Sequence, residues 1–177
     1  MKKQIPNILT YSRILVIPVI VMIFVYFDRA MANWLCASLF LYASITDFFD
    51  GYLARAWHAH SSLGKFMDPI ADKLLIATCL MLLVGVDRAP LLPSLAILCR
   101  EILVSGLREF LAELRISMPV STLAKYKTAT QMVAIFLLLL GGNMQQAGNM
   151  LLWVAALLTL LTGYAYLRTG LKHLAGE

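Results

Sequence analysis

Residues 47–72 read DFFDGYLARAWHAHSSLGKFMDPIAD, two acidic clusters joined by a short polar loop. Long apolar runs lie on either side, over 33–54 and 66–86. A helix that crosses a bilayer needs roughly 20 predominantly apolar residues, and both runs have that length. The same pattern recurs along the chain, giving expected spans at 12–27, 33–54, 66–86, 91–112, 123–141 and 149–169. Of the 177 residues, 60% are hydrophobic and 14% charged, where soluble domains carry about 25% charged residues. Mean hydropathy is +0.78. The expectation is an all-α polytopic membrane protein: six transmembrane helices, a short N-terminal interfacial helix over 2–13, and one domain over 1–177.

Basic residues orient such a bundle, because Lys and Arg concentrate on the cytoplasmic side. With the N-terminus inside, twelve of the fifteen Lys and Arg residues fall on the inner side and only Arg29 and Arg88 on the outer, with Arg100 left within a span. Both termini are expected to be cytoplasmic, and the net charge of +5 reads as orientation, not nucleic-acid binding. The first apolar run is long enough to span and is followed by Asp28-Arg29, so it reads as an anchor rather than a cleaved signal peptide. Cys36, Cys79 and Cys99 sit inside apolar runs and read as small buried hydrophobes. His58 and His60 lack the further ligands a zinc site needs. Pro18 is expected to bend the first span, and Pro69 is compatible with the third if it lies in that helix's first turn.

Carboxylates in membrane spans are expensive and usually functional. Asp47 and Asp50 close span two, and Asp68 and Asp72 open span three, so all four reach one depth near the cytoplasmic face. Residues three or four apart share a helix face, which lets each pair point at one spot. Four gathered carboxylates repel unless cations lie between them. Oxygen-only donors suit Mg²⁺ or Mn²⁺, and four suffice for two ions that could clamp a phosphate and its leaving oxygen. Solvated helix ends and a cation or proton pathway are the competing readings. Gly51 and Ala54 leave room for a ligand against the backbone, and the Arg55 guanidinium suits phosphate oxygens.

Together these positions read Asp47-x2-Asp50-Gly51-x2-Ala54-Arg55-x8-Gly64-x3-Asp68-x3-Asp72. The pattern resembles the full signature of the CDP-alcohol phosphatidyltransferase family, with a likeness running from Asn7 to about Gln131. The resemblance implies a six-helix membrane fold, a homodimer and a cytosol-facing cavity. It implies attack by an alcohol on the β-phosphorus of a CDP-linked lipid, here CDP-diacylglycerol, with release of CMP. It assigns metal binding to Asp47, Asp50, Asp68 and Asp72, proton abstraction to Asp72, and contacts with the donor to Gly51, Ala54, Arg55, Ser61 and Gly64. Asn7 and Thr10 resemble the family's N-terminal Asn-x-x-Thr and would line the same pocket. A bacterial cytoplasmic (inner) membrane location, with the active site facing the cytoplasm, follows from the same likeness.

The segments REILVSGLREFLAEL (100–114) and AKYKTATQMVAI (124–135) resemble the bacterial branch whose acceptor is sn-glycerol 3-phosphate. That acceptor carries a phosphate, and Arg108, Lys125 and Lys127 lie at a suitable depth to hold it; snorkelling to the interface is the bland alternative. Another alcohol, such as serine or inositol phosphate, remains open, because Ala124 stands where this branch commonly has glycine. Arg100, deep in span four, reads either as a structural ion pair, with Glu101 among the possible partners, or as an acceptor contact. Glu101, Ser105 and Arg108 share one face and are expected to line the cavity.

Overall fold

A computed structural model describes residues 5–57, 62–114, 116 and 121–175. The side chains of 5–10, 48–57, 62–66, 68 and 171–175 lie outside that description. The described residues form six helices: α1 (Ile5–Tyr26), α2 (Arg29–Trp57), α3 (Ser62–Gly85), α4 (Leu91–Glu113), α5 (Thr122–Leu140) and α6 (Gln145–Ala175), with one 3₁₀ turn at Gly142–Met144. Each expected span lies in its own helix to within one residue, Phe27, Val86 and Gly141 falling just past α1, α3 and α5. Several helices outrun their apolar stretch, because the hydrogen-bond ladder continues where hydropathy has already ended.

Two local expectations change. Within the lead-in expected over 2–13, the described residues from Ile5 onward are not a separate interfacial element, since α1 runs unbroken from there and on through Pro18. No helix breaker separates the two parts, and Arg13 at the junction is buried instead of solvated, only 1% exposed. Pro69 lies well inside α3, which starts at Ser62, not in its first turn. The helix passes through it although proline supplies no N–H to the ladder.

The breaks have plain causes. Asp87 takes a left-handed conformation at φ 57°, which aspartate tolerates better than most residues. The amides of Arg88 and Ala89 fold back onto the Leu83 carbonyl at 2.9 and 3.2 Å. Ser121 caps α5 by accepting from the Ala124 amide, the usual repair for an orphan helix donor. Gly141 and Gly142 adopt φ of 65° and 55°. Space also restricts Gly141, since a β-carbon there would lie 3.0 Å from Arg88 Nη1.

α1 packs against both α2 and α3, α5 against α2 and α3, and α6 against α4 and α5. A single buried cluster draws on all six helices, including Ile20, Phe40, Leu80, Ile97, Leu138 and Leu152. Outside it, large apolar side chains stay exposed along the helices, among them Trp34, Leu92, Ile102 and Tyr164. Thr122–Leu140 and Gly142–Gly170 are long and apolar enough to cross a bilayer, while Tyr11–Tyr26 is apolar but shorter.

Glycine sets how closely α6 approaches its neighbours. A methyl at Gly148 would lie 2.8 Å from Leu138 Cγ and 3.1 Å from the Leu138 backbone nitrogen, whereas one at Gly106 meets nothing within 4 Å. Gly148→Ala is therefore expected to cost about 1–3 kcal/mol through overpacking, seen as a lower thermal midpoint in detergent. Gly106→Ala should hold or raise that midpoint, since alanine favours a helix by up to about 1 kcal/mol.

Candidate active site

A cavity of about 530 Å³ opens among five helices. Asp47 on α2 and Asp72 on α3 line one side. Arg100, Glu101 and Arg108 on α4, Lys125 and Lys127 on α5, and Tyr166 on α6 line the rest. Carboxylates and cations thus line one space. A second cavity, about 320 Å³, shares Arg100, Glu101, Val104 and Arg108 and adds Lys73 and Ser105. Glu101, Ser105 and Arg108 therefore do share a cavity-lining face of α4.

The structure brings together Asp47, Asp72, Arg108, Lys125 and Lys127 of the residues expected from sequence. The backbone of α2 carries Asp50, Gly51, Ala54 and Arg55 in the turns after Asp47, and that of α3 carries Gly64 and Asp68 before Asp72. The side chains of Asp50, Arg55 and Asp68, like those of Asn7 and Thr10 on α1, lie outside the described residues, as does Ser61 entirely. Among the described residues no group of three or more His, Cys, Asp or Glu side chains forms a metal cluster. Asp47 and Asp72 supply hard oxygen donors from two helices to one cavity, which fits Mg²⁺ or Mn²⁺ as far as the described donors reach.

Lys127 and Arg108 differ more than the sequence suggested. Lys127 is only 3% exposed and is ion-paired with Glu101. Arg100 Nη1 approaches the same Glu101 oxygen at 3.3 Å, so one carboxylate serves two cations. Arg100 Nη2 also donates to Thr162 Oγ1 at 3.2 Å, and its guanidinium lies 5.7 Å from the Tyr166 ring centroid, within cation–π range. A β-carbon at Gly163 would come within 2.9 Å of Arg100 Cγ, so α6 makes room for the arginine stem. Arg100 is thus tied to its chain neighbour Glu101 and to α6. Arg108 and Lys125 are exposed and line the cavity.

Sequence reading passed over Arg13 and Tyr166. Arg13 pairs with Asp47 across helices, and Tyr166 Oη accepts from the Ser121 amide at 3.2 Å. The three-residue recurrence of Asn7, Thr10 and Arg13 was the available signal for Arg13, but it suited a solvated face equally well. Tyr166 had no such signal.

The family model of CDP-alcohol phosphatidyltransferases matches residues 3–161. The chain is a CDP-alcohol phosphatidyltransferase. Within that family it is 50% identical to a CDP-diacylglycerol–glycerol-3-phosphate 3-phosphatidyltransferase of Rickettsia felis, with 97% of each chain covered. Proteins of the same description in Salmonella choleraesuis and Cereibacter sphaeroides are 42% and 37% identical, covering 94% and 100% of each chain. In this phosphatidyltransferase the acidic pairs 47/50 and 68/72 fall in α2 and α3, the consecutive helices on either side of residues 58–61.

The two lysines of α5 separate by surroundings. Breaking a buried ion pair costs about 3–5 kcal/mol, and Lys127→Met, which removes one of the two cations on Glu101 and leaves Arg100 on it, is expected to lower unfolding stability toward the lower end of that range. Lys125→Met should stay within about 0.5 kcal/mol, as exposed substitutions do. Thermal unfolding of the two purified variants in one detergent checks the contrast; equal midpoints would remove it.

Proposed function

We propose that this enzyme transfers the phosphatidyl group of CDP-diacylglycerol to sn-glycerol 3-phosphate, giving phosphatidylglycerophosphate and CMP. The observation that carries the proposal is the pairing of the complete Asp47–Asp72 signature with near-full-length relatives described by that reaction. The polarised cavity supports it, because a nucleotide-linked lipid and an anionic alcohol need carboxylates with metal on one side and fixed cations on the other. The α2 and α3 helices run unbroken, unlike the interrupted helices around many transporter sites.

Asp47, Asp50, Asp68 and Asp72 would hold Mg²⁺ or Mn²⁺, two ions in all. Bound metal would neutralise the pyrophosphate and stabilise departing CMP. Arg108 and Lys125 would hold the acceptor's phosphate, with Lys127 adding positive charge from its pair with Glu101. Asp72 would accept the proton of the acceptor hydroxyl as its oxygen bonds to the β-phosphorus. The phosphorus–oxygen bond to CMP then breaks. Positioning and electrostatics supply most of the acceleration in phosphoryl transfer.

The enzyme is further proposed to cross the bacterial inner membrane six times as one domain, with both termini and the cavity on the cytoplasmic side, and to form homodimers. The exposed apolar side chains along the helices and the inward bias of Lys and Arg support this placement.

Purified protein given CDP-diacylglycerol, Mg²⁺ and labelled sn-glycerol 3-phosphate should move label into lipid with matching CMP release. Chelator should abolish both, and Asp72→Asn should reduce the rate about 10²–10⁴-fold, the usual loss of an acid–base group. CMP release with serine or inositol phosphate alone would reassign the acceptor; none with any alcohol would overturn the reaction class. In Arg108→Ala and Lys125→Ala the KM for the acceptor should rise about tenfold or more, because each loses a charge-assisted contact of about 1.5–3 kcal/mol. An unchanged KM in both would remove their role.

A further inference from the structure

We propose that Arg13 is a positioning residue for the metal-binding carboxylate Asp47. The inference rests on the metal reading above. Arg13 stands on α1, which packs on both aspartate-bearing helices. It is 1% exposed, one of the largest fully buried side chains in the protein. Its Nη1 pairs with Asp47 Oδ1 across 34 residues of sequence. A buried charge of this kind is costly unless paired, so the arginine and its carboxylate fix one another.

The pair leaves Asp47 usable. Its side chain keeps 38% of its surface accessible and lines the cavity. The carboxylate is therefore held by Arg13 and also reaches the cavity. Ligating carboxylates are commonly held by such outer partners, and losing the partner costs about 10–100-fold in metal affinity. The guanidinium suits the task better than an ammonium, because its planar fork fixes the carboxylate's orientation as well as its charge. A simple counter-ion would do the reverse and compete with the metal for Asp47.

Mn²⁺ binding distinguishes these roles without relying on turnover. Free Mn²⁺ is followed by electron paramagnetic resonance during titration of purified protein, with CDP-diacylglycerol present and the acceptor absent. Arg13→Gln is expected to bind Mn²⁺ about 10–100-fold more weakly than wild type, and Arg13→Lys to fall between them. Thermal midpoints of both variants are recorded alongside, since a helix-pairing role alone would lower stability without moving the affinity. Equal or tighter Mn²⁺ binding in Arg13→Gln overturns the proposal. If that variant does not fold, wild-type affinity in Arg13→Lys overturns it. Wild-type protein that neither binds Mn²⁺ nor releases CMP would sink the underlying metal reading and this inference with it.

Discussion

Charge buried among apolar helices must be paired, and that constraint fixes this bundle at the level of its cavity. Arg13 joins α1 to α2 through Asp47. Glu101 joins α4 to α5 through Lys127 and also receives Arg100, which reaches α6 through Thr162. In the membrane arrangement proposed above the hydrophobic effect would not tell one helix register from another, because lipid tails are as apolar as leucine. An ion pair would, since sliding either helix by one turn leaves two unpaired charges. The residues that line the cavity are thus largely the ones that set the relative depth of the helices.

This double use explains the division of labour among the cations. Lys127 and Arg100 are committed to Glu101, while Arg108 and Lys125 stay exposed along the cavity. A fixed cation next to a shared carboxylate contributes a standing field, whereas an exposed one can close on a ligand. Electrostatic preorganisation of this kind acts without reorganisation at the moment of reaction.

Helix number was legible in the sequence because it depends on apolar length; the left-handed turns at Asp87 and Gly141-Gly142 and the Ser121 cap that bound the helices emerged only with the structure. The Asp47 and Asp72 positions were legible because helical spacing and signature agree. Arg13 was not. Its three-residue spacing from Thr10 is the same on a wet surface as on a buried one, and only the packing of α1 on α2 decides between them. Lys127 was found, but its partner was not, because a pair 26 residues apart leaves no trace in local pattern. Pro69 was placed too near its helix start, since hydropathy lags the true N-terminus of α3.

Arg100 and Glu101 are consecutive in the chain, and that adjacency bears on how the protein is built. A ribosome delivers α4 before α5 and α6, so in the six-span arrangement proposed above the arginine would enter the bilayer before Thr162 or Tyr166 exists. Glu101 travels with it and offsets its charge from the outset. Lys127 then arrives opposite a carboxylate already in place, and α6 comes last, its Gly163 accommodating a stem that is already buried. The order of synthesis thus matches the order in which each costly group finds its partner, and in that arrangement no half-made intermediate would have to carry a lone charge on α4 through hydrocarbon.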